Sequence, residues 1–474
     1  MAAIKTRKGG ETLIEQNALD EYRSGLGGET LTPDDAAYEE IREIWNAMID
    51  SRPALIARCR NAADVIRSVD FARAHDLLVS VRGAGHNIAG NSLADGGFLI
   101  DLSQMTNVEV DEQAKTARVE PGATLGDVDA ATQAFGLATP TGINSTTGIA
   151  GLTLGGGFGW LSRSYGMTID NLLSADVVTA EGELVTASKS SHPDLFWGIR
   201  GGGGNFGIVT SFEFRLHEVG PELLSGLIVH DAGDALAALE FYREFAAQAP
   251  DELTTWVVMR KAPPLPFLDE AVHGTDVLLF ALLYNGDIAE GEEAIAPLRA
   301  FGSPVGEAIG PNPYVGWQQA FDPLLTPGAR NYWKSHNFGE LSDETIGILL
   351  SYARDLPSGF SEIFIAQMGG ATSRVAADAT AYVGRDAAFV LNVHTRWEDA
   401  DDDDRCVAWA REFYNATLPV AIDGAYVNFM TAEESDRVEA AYGANHDRLV
   451  AIKDEYDPDN VFRMNQNIVP SGSR

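Results

Sequence analysis

Hydrophobic positions along the chain follow two different periods, and the places where the period changes divide it. Residues 54–58 form a short apolar run, residues 62–75 space their apolar side chains as a helix does, and residues 77–82 read as a strand. Strand, helix and strand in such quick succession predict an α/β unit. Upstream, residues 33–46 read as a helix opening on Asp34 and Asp35, and residues 1–35 as a polar, mobile extension. From residue 98 strands dominate: 98–101, 108–111 and 116–119 are short and turn-bounded. A helix is expected at 124–134, a strand at 175–179 followed by a hairpin-like turn, and a strand at 208–216. Around residue 217 the pattern changes. Strand-like runs at 223–230, 254–258, 277–284, 363–368 and 388–395 are separated by amphipathic stretches such as 234–247 and 291–301. Alternation of this kind predicts a sheet covered by helices on one face, and an α+β class overall. The last 50 or so residues return to a compact strand-and-helix pattern, and no internal repeat is visible.

Charge changes the picture more than composition does. Asp and Glu outnumber Lys and Arg by 69 to 34, a net charge of −35, while 45% of residues are hydrophobic, as in an ordinary globular protein. Nucleic-acid binding is excluded as an expectation, because phosphate contact needs a basic face. No apolar run reaches the roughly 18 residues of a membrane-spanning helix, so no membrane partner is expected. The opening Met1–Gly10 has neither an apolar signal core nor a twin-arginine pair, which predicts a cytoplasmic protein. Cys59 and Cys406 make no disulfide framework, and no metal is expected. The acidic run 399–404 precedes a helix read at 405–414, where carboxylates suit the helix start.

Three glycine-rich segments carry the candidate chemistry. Val81-Arg82-Gly83-Ala84-Gly85-His86-Asn87 follows a strand. Its glycines let backbone N–H groups converge on an anion, Arg82 adds positive charge, and His86 stands at the mouth of the loop. Taken alone, the loop reads more readily as one bearing a solvent-exposed histidine. Thr141–Gly159 holds seven glycines in 19 residues with hydroxyls interleaved. Such a stretch either wraps a large, flat, phosphorylated ligand with its backbone or forms an array of tight turns. Arg200–Gly207 contains a literal G-x-G-x-x-G, but a strand-like run follows it where a dinucleotide fingerprint needs a helix, so that reading is rejected.

These segments, in this order and spacing, together with Tyr426-Val-Asn428 and the stretch 456–468, resemble the vanillyl-alcohol-oxidase/PCMH flavoprotein superfamily. Within it they resemble the berberine-bridge-enzyme-like group, and the likeness covers nearly the whole chain. The resemblance implies an N-terminal extension over 1–35, a two-subdomain PCMH-type FAD-binding domain over 36–216, a substrate domain over 217–425 and a C-terminal segment, 426–474, returning to the FAD domain. It implies FAD as cofactor, joined through its 8α-methyl to His86. Arg82, Gly83, Ala84, Gly85 and Asn87 would form the pyrophosphate loop. Thr147, Gly148, Gly151, Gly156 and Gly157 would form a second flavin loop running towards Asn171, with Gly207, Val209, Asn465 and Asn467 as further contacts. Many members carry a second covalent bond through a Cys eleven residues before the triple glycine. That position is Asn144, which implies a monocovalent state. The family position associated with oxygen access falls on Thr147, neither the Val of oxidases nor the Leu of dehydrogenases.

The resemblance also implies hydride removal from a small alcohol, sugar hydroxyl or amine, with O2 or another electron acceptor as second substrate. A proton acceptor is then needed. Tyr426 and Asn428, read as sharing a strand face, are candidates, as are Gln367, Asn392, His394 and Lys334. Ordinary sheet-face packing is the competing reading for the last four. A neighbouring family position used as a base falls on Phe429, which cannot act as one. A dehydrogenase and a non-catalytic FAD-binding module stay open as alternatives, and the chain is expected as a monomer or homodimer.

The charge supplies a test of its own. Repulsion on this scale opposes the compact state, and molar salt shortens the Debye length to about 3 Å and removes it. The expectation is a protein of a high-salt cytoplasm. Stability measured against KCl concentration should fall steeply as salt is withdrawn, and equal stability without salt would contradict this origin.

Overall fold

The computed structural model describes residues 2–473, and all their side chains except that of Asp436. Its class is the expected α+β, with a four-stranded and a five-stranded sheet joined to a seven-stranded antiparallel one.

The first small sheet has four strands in the order Glu29–Leu31, Leu55–Arg58, Phe98–Asp101, Val79–Arg82, the last three parallel. The helix Ala62–Ala74 makes the crossover, its start fixed by Asn61, whose side chain accepts from the Asp64 N–H at 3.0 Å. The second small sheet is antiparallel and five-stranded: Leu184–Ser188, Leu172–Val178, Ile208–Arg215, Thr116–Val119, Val108–Asp111. Two expectations are corrected here. The first 35 residues are not a loose extension: Ala2–Lys5 and Glu11–Ile14 pair as a hairpin, Gln16–Ser24 is a helix, and Ile4, Ile14, Leu19 and Tyr22 are buried in the first core. Their sparse apolar residues fall on one face, so polar composition misleads. The helix expected over 33–46 is only Tyr38–Arg42, because the chain must turn at Glu43 to deliver Trp45 to the cavity wall.

The large sheet has seven antiparallel strands: Gly306–Pro313, Glu222–Asp231, Asp276–Tyr284, Leu253–Lys261, Glu362–Gln367, Phe389–Trp397 and Arg330–Phe338. Gly306–Pro313 and Arg330–Phe338 are the two edge strands, and neither was evident as a strand in the pattern. Side chains alternate between the faces. Ile363, Ile365, Leu391 and Val393 pack under the helices Ala235–Gln248, Ile288–Ala300, Asp343–Ala353 and Asp403–Thr417. The alternate residues turn the other way, towards the glycine segments.

The C-terminal segment is tied back by a buried ion pair. Lys453 Nζ donates to Asp457 at 2.7 Å, to the Asn205 carbonyl at 2.7 Å and to the Phe462 carbonyl at 3.0 Å, while Asp457 accepts from the Val461 and Phe462 N–H groups. Asn205 Oδ1 in turn accepts from the Ile468 N–H at 2.9 Å. The third glycine segment and the C-terminal signature are therefore one hydrogen-bonded unit. Replacing Asp457→Asn leaves a buried ammonium without its counter-charge, which costs about 3–5 kcal/mol. A clear fall in the denaturation midpoint is expected, and an unchanged midpoint would mean that other contacts hold the segment.

Candidate active site

One large cavity lies between the glycine segments and the open face of the large sheet, and residues from both line it. Its first wall is the loop after Val79–Arg82. Gly85 sits at φ +75°, and a Cβ on Gly83 would come within 2.8 Å of the Pro121 carbonyl oxygen, so glycine is required at both positions. Gly83, Ala84, Gly85, His86 and Asn87 all line the cavity, but Arg82 does not. Its guanidinium grips Asp101 through two hydrogen bonds, of 3.1 and 2.8 Å, and donates to the Ile41 and Glu43 carbonyls. Arg82 thus braces the loop from behind, and its charge is already met by Asp101.

His86 stacks on Trp45, ring centroids 4.4 Å apart. Trp45 is fixed by its own N–H to the Gly85 carbonyl and its indole N–H to the Leu325 carbonyl. His86 Nε2 is buried and bonded to no protein atom. Burial, helped by the nearby Arg396 guanidinium, pushes the imidazole down to about 3, so it is neutral across the working pH range.

The second glycine segment is not all loop: Ile149–Gly155 is a short helix, and Asn144, Thr147, Gly148 and Gly151 line the cavity around it. A Cβ on Gly148 would lie 2.9 Å from that of Ala84, so the first and second segments touch through glycine. Asn144 does not reach outward. Its side-chain oxygen accepts from the Thr146 N–H and hydroxyl, shaping the turn. Gly156, Gly157 and Asn171 lie behind the wall, Asn171 bridging the Tyr165 and Met167 carbonyls to His217. The third segment contributes Gly207 and Val209, and the C-terminal signature Asn465. Asn467 is outside the lining.

Tyr426 and Asn428 are not on a strand: Val427–Phe429 is a single 3-10 turn. Tyr426 Oη accepts from the Gly157 N–H at 3.2 Å and from Asn428 Nδ2 at 3.0 Å, and Asn428 also donates to the Leu152 carbonyl. The pair therefore holds the second glycine segment against the cavity. Burial raises the Tyr426 hydroxyl to about 12, although its two partners pull the other way.

On the sheet, strand register brings four side chains into one row. Arg260, Glu362, His394 and Trp333 are successive cross-strand partners on four neighbouring strands, all on the cavity face. Arg260 donates to Glu362 at 2.5 Å, and His394 Nδ1 lies 3.0 Å from the other carboxylate oxygen. Burial raises the Glu362 carboxyl, but the Arg260 guanidinium and His394 outweigh it and hold the group at about 2. An ionised carboxylate only accepts, so Nδ1 carries the imidazole proton and Nε2 keeps a lone pair. That Nε2 is buried and bonded to no protein atom. In the next row Phe364 and Asn392 are partners. Gln367 and Lys334 lie on the opposite face. Gln367 is spent on Thr255 and the Ala246 carbonyl, and Lys334 on Thr431, Glu433 and Glu434. Both depart from the sequence expectation because the sheet alternates. Trp45, Arg260 and Glu362 were not singled out in the sequence; Glu362 lies just before the strand read over 363–368, and its pairing with His394 is a cross-strand contact that periodicity does not show.

This combination, a glycine-backbone cradle between two small sheets facing a seven-stranded substrate sheet, defines a flavin-dependent oxidoreductase. Residues 53–188 match the FAD binding domain family and residues 425–469 the family described as "Berberine and berberine like". (R)-6-hydroxynicotine oxidase of Paenarthrobacter nicotinovorans is 32% identical over 465 residues, covering 94% of this chain and 98% of that protein. An FAD-linked oxidoreductase of Bacillus subtilis is 31% identical, covering 94% of this chain and 98% of its own. The crystal structure of 6-hydroxy-D-nicotine oxidase from Arthrobacter nicotinovorans superposes with a TM-score of 0.84 at 30% identity, over 94% of this chain and 98% of that one. The chain belongs to the berberine-bridge-enzyme-like family of FAD-linked oxidoreductases.

The residues present fit FAD. Backbone of all three glycine segments faces the cavity, a Cβ on Gly151 or Gly204 would meet open space there, and His86 Nε2 and Asn465 Oδ1 are buried polar atoms with no protein partner. Among the described residues no helix is long and apolar enough to cross a membrane.

Proposed function

We propose that the chain is a monocovalent FAD oxidase acting on a small alcohol, sugar hydroxyl or amine, with O2 as electron acceptor and H2O2 as product. Bound FAD supplies the two-electron acceptor; the protein supplies attachment, orientation and proton handling. The observation that carries the reading is His86. A neutral imidazole, with its Nε2 buried and without a protein partner, its ring plane fixed by Trp45, is a ready nucleophile for the flavin 8α position. A second bond has no source, since Asn144 stands at the Cys position and Cys59 and Cys406 lie outside the cavity lining. Relatives named (R)-6-hydroxynicotine oxidase and chitooligosaccharide oxidase favour an oxidase over a dehydrogenase. Thr147, being neither family residue, keeps a non-oxygen acceptor as the second reading. Peroxide formation measured with and without an artificial acceptor separates the two.

His394 is the proposed proton acceptor. Glu362 fixes its tautomer and would stabilise the imidazolium formed when Nε2 takes the substrate proton, the division of labour of a carboxylate–histidine pair. Tyr426 is less suited, because its hydroxyl is held protonated and engaged with the glycine segment.

Acid precipitation of the wild-type protein should leave the yellow colour in the pellet, whereas His86→Ala should fold with FAD that stays in the supernatant. Wild-type colour in the supernatant would sink the covalent assignment. His394→Gln keeps the volume but cannot take a proton. It should slow anaerobic flavin bleaching by about 10²–10⁴-fold, and a rate within a few-fold of wild type would move the proton acceptor elsewhere.

A further inference from the structure

Trp45 is held from both halves of the molecule. Towards the first glycine segment, its backbone N–H donates to the Gly85 carbonyl at 3.1 Å and its ring stacks on His86. Towards the large sheet, its indole N–H donates to the Leu325 carbonyl at 2.8 Å, and its own carbonyl accepts from the Gly328 N–H at 3.3 Å. Its neighbours continue the seam. Asn46 pairs with the Asn331 backbone through both amide atoms, each at 3.0 Å, and the Ala47 N–H reaches the Ala329 carbonyl at 3.0 Å. Residues 45–47 therefore join the loop that bears His86 to the chain entering the edge strand Arg330–Phe338.

Arg396 acts on this seam from the sheet. It lies two residues beyond His394 on Phe389–Trp397 and is 4% exposed. Its guanidinium sits over the Trp45 ring, 5.3 Å from the centroid, an attractive place for a cation. Its N–H groups go to neutral acceptors: the Thr326 carbonyl at 2.5 Å, the Thr326 hydroxyl at 3.3 Å and Asn331 Oδ1 at 3.3 Å. Glu362 and Glu398 favour its charge only through space, and burial pulls the guanidinium below its ordinary value. Burying a cation without an ion-pair partner is costly. What this one does hold is Trp45, through the ring face directly and through Thr326, the residue after the acceptor of the indole N–H.

Resting on the proposed attachment of FAD to His86, we infer that Arg396 is a positioning residue for that attachment: by gripping Thr326 and covering the Trp45 ring, it sets the plane of the His86 imidazole from the large sheet. Attachment forms one bond, between His86 Nε2 and the 8α carbon. One proton leaves that carbon and one leaves the other ring nitrogen, and the two electrons pass to O2, which with these protons becomes H2O2. The step needs the Nε2 lone pair aimed at the carbon, and a misplacement of about 1 Å costs about 100-fold in rate. The Arg396 charge also opposes protonation of His86, which would remove that lone pair. The histidine is thus prepared by a strand remote from its own loop.

The test is the share of bound flavin that stays in the acid pellet of the purified holoprotein, read beside total FAD content and melting temperature. Wild type should keep its flavin in the pellet. Arg396→Gln can still donate to the Thr326 carbonyl but carries no charge; it should release at least about half of its flavin to the supernatant, as the loss of aim at His86 slows attachment. Trp45→Leu should do the same, and the double variant should be no worse than the worse single one, because the two residues act through one contact. Arg396→Lys, which returns a cation and a donor, should recover most of the pellet fraction. FAD content and melting temperature should stay at the wild-type level in the Arg396 variants. A wild-type pellet fraction in Arg396→Gln, no recovery in Arg396→Lys, additive losses in the double variant, or a release matched by loss of total FAD and of melting temperature would each overturn the inference. Wild-type flavin in the supernatant would strike the attachment itself, and is told apart from these because His86→Ala would then match wild type.

Discussion

The register of the seven-stranded sheet is the constraint from which the rest of the site follows. A sheet has a side-chain period of two, and a slip of one residue would send every cavity residue into the helix layer. Hydrophobic burial of Ile363, Ile365, Leu391 and Val393 under four helices fixes which face is which. Cross-strand pairing then decides the neighbours, and Arg260, Glu362, His394 and Trp333 meet in a row although 134 positions separate the first from the last in the chain. The charged row can be buried because each member has its partner in place. A buried carboxylate without Arg260 beside it would be expelled or protonated.

The opposite wall of the cavity is built on another principle. There the chain presents backbone, and glycine is used where a side chain would collide: Gly83 with Pro121, Gly148 with Ala84. Such a wall has no core of its own to stiffen it. Its rigidity comes from side chains behind it, namely Arg82 with Asp101, Tyr426 with Gly157, and Lys453 with Asp457 and Asn205. Several residues expected to contact the cofactor do this bracing instead, which explains why they belong to the same motifs as residues that line the cavity.

Much of this was legible in the chain. The change of hydrophobic period near residue 217 falls just before the first strand of the large sheet, Glu222–Asp231, and residues of the three glycine segments line the cavity. Less legible was anything depending on pairing across long sequence separations. Gln367 and His394 look alike as polar residues within apolar strands, yet one faces helices and the other the cavity. Deciding between them needs the parity of each strand relative to its buried face, and the end-point of a short apolar run does not fix parity. Trp45 was hidden for another reason. It follows a helix only five residues long, where an amphipathic pattern continued and the backbone did not. The hairpin before it was obscured by composition, since a few well-placed apolar residues, Ile4, Ile14 and Leu19, suffice to anchor a polar segment.

The acidity of the chain bears on how an anionic cofactor can be kept at all. With a net charge of −35, the long-range field opposes a diphosphate. Arg82 is matched by Asp101 and Arg260 by Glu362, which leaves Arg396, over the Trp45 ring, as a local cation without a carboxylate in direct contact. Retention must then come from forces that leave net charge unaltered. Backbone N–H dipoles of the cavity-lining glycine segments would be one, acting over short range where salt screens little. A covalent bond from His86 would be the other, and it is indifferent to charge and to ionic strength alike. In a less acidic relative a free arginine could share this task. Here its place behind the loop leaves the histidine as the group best able to make cofactor binding permanent.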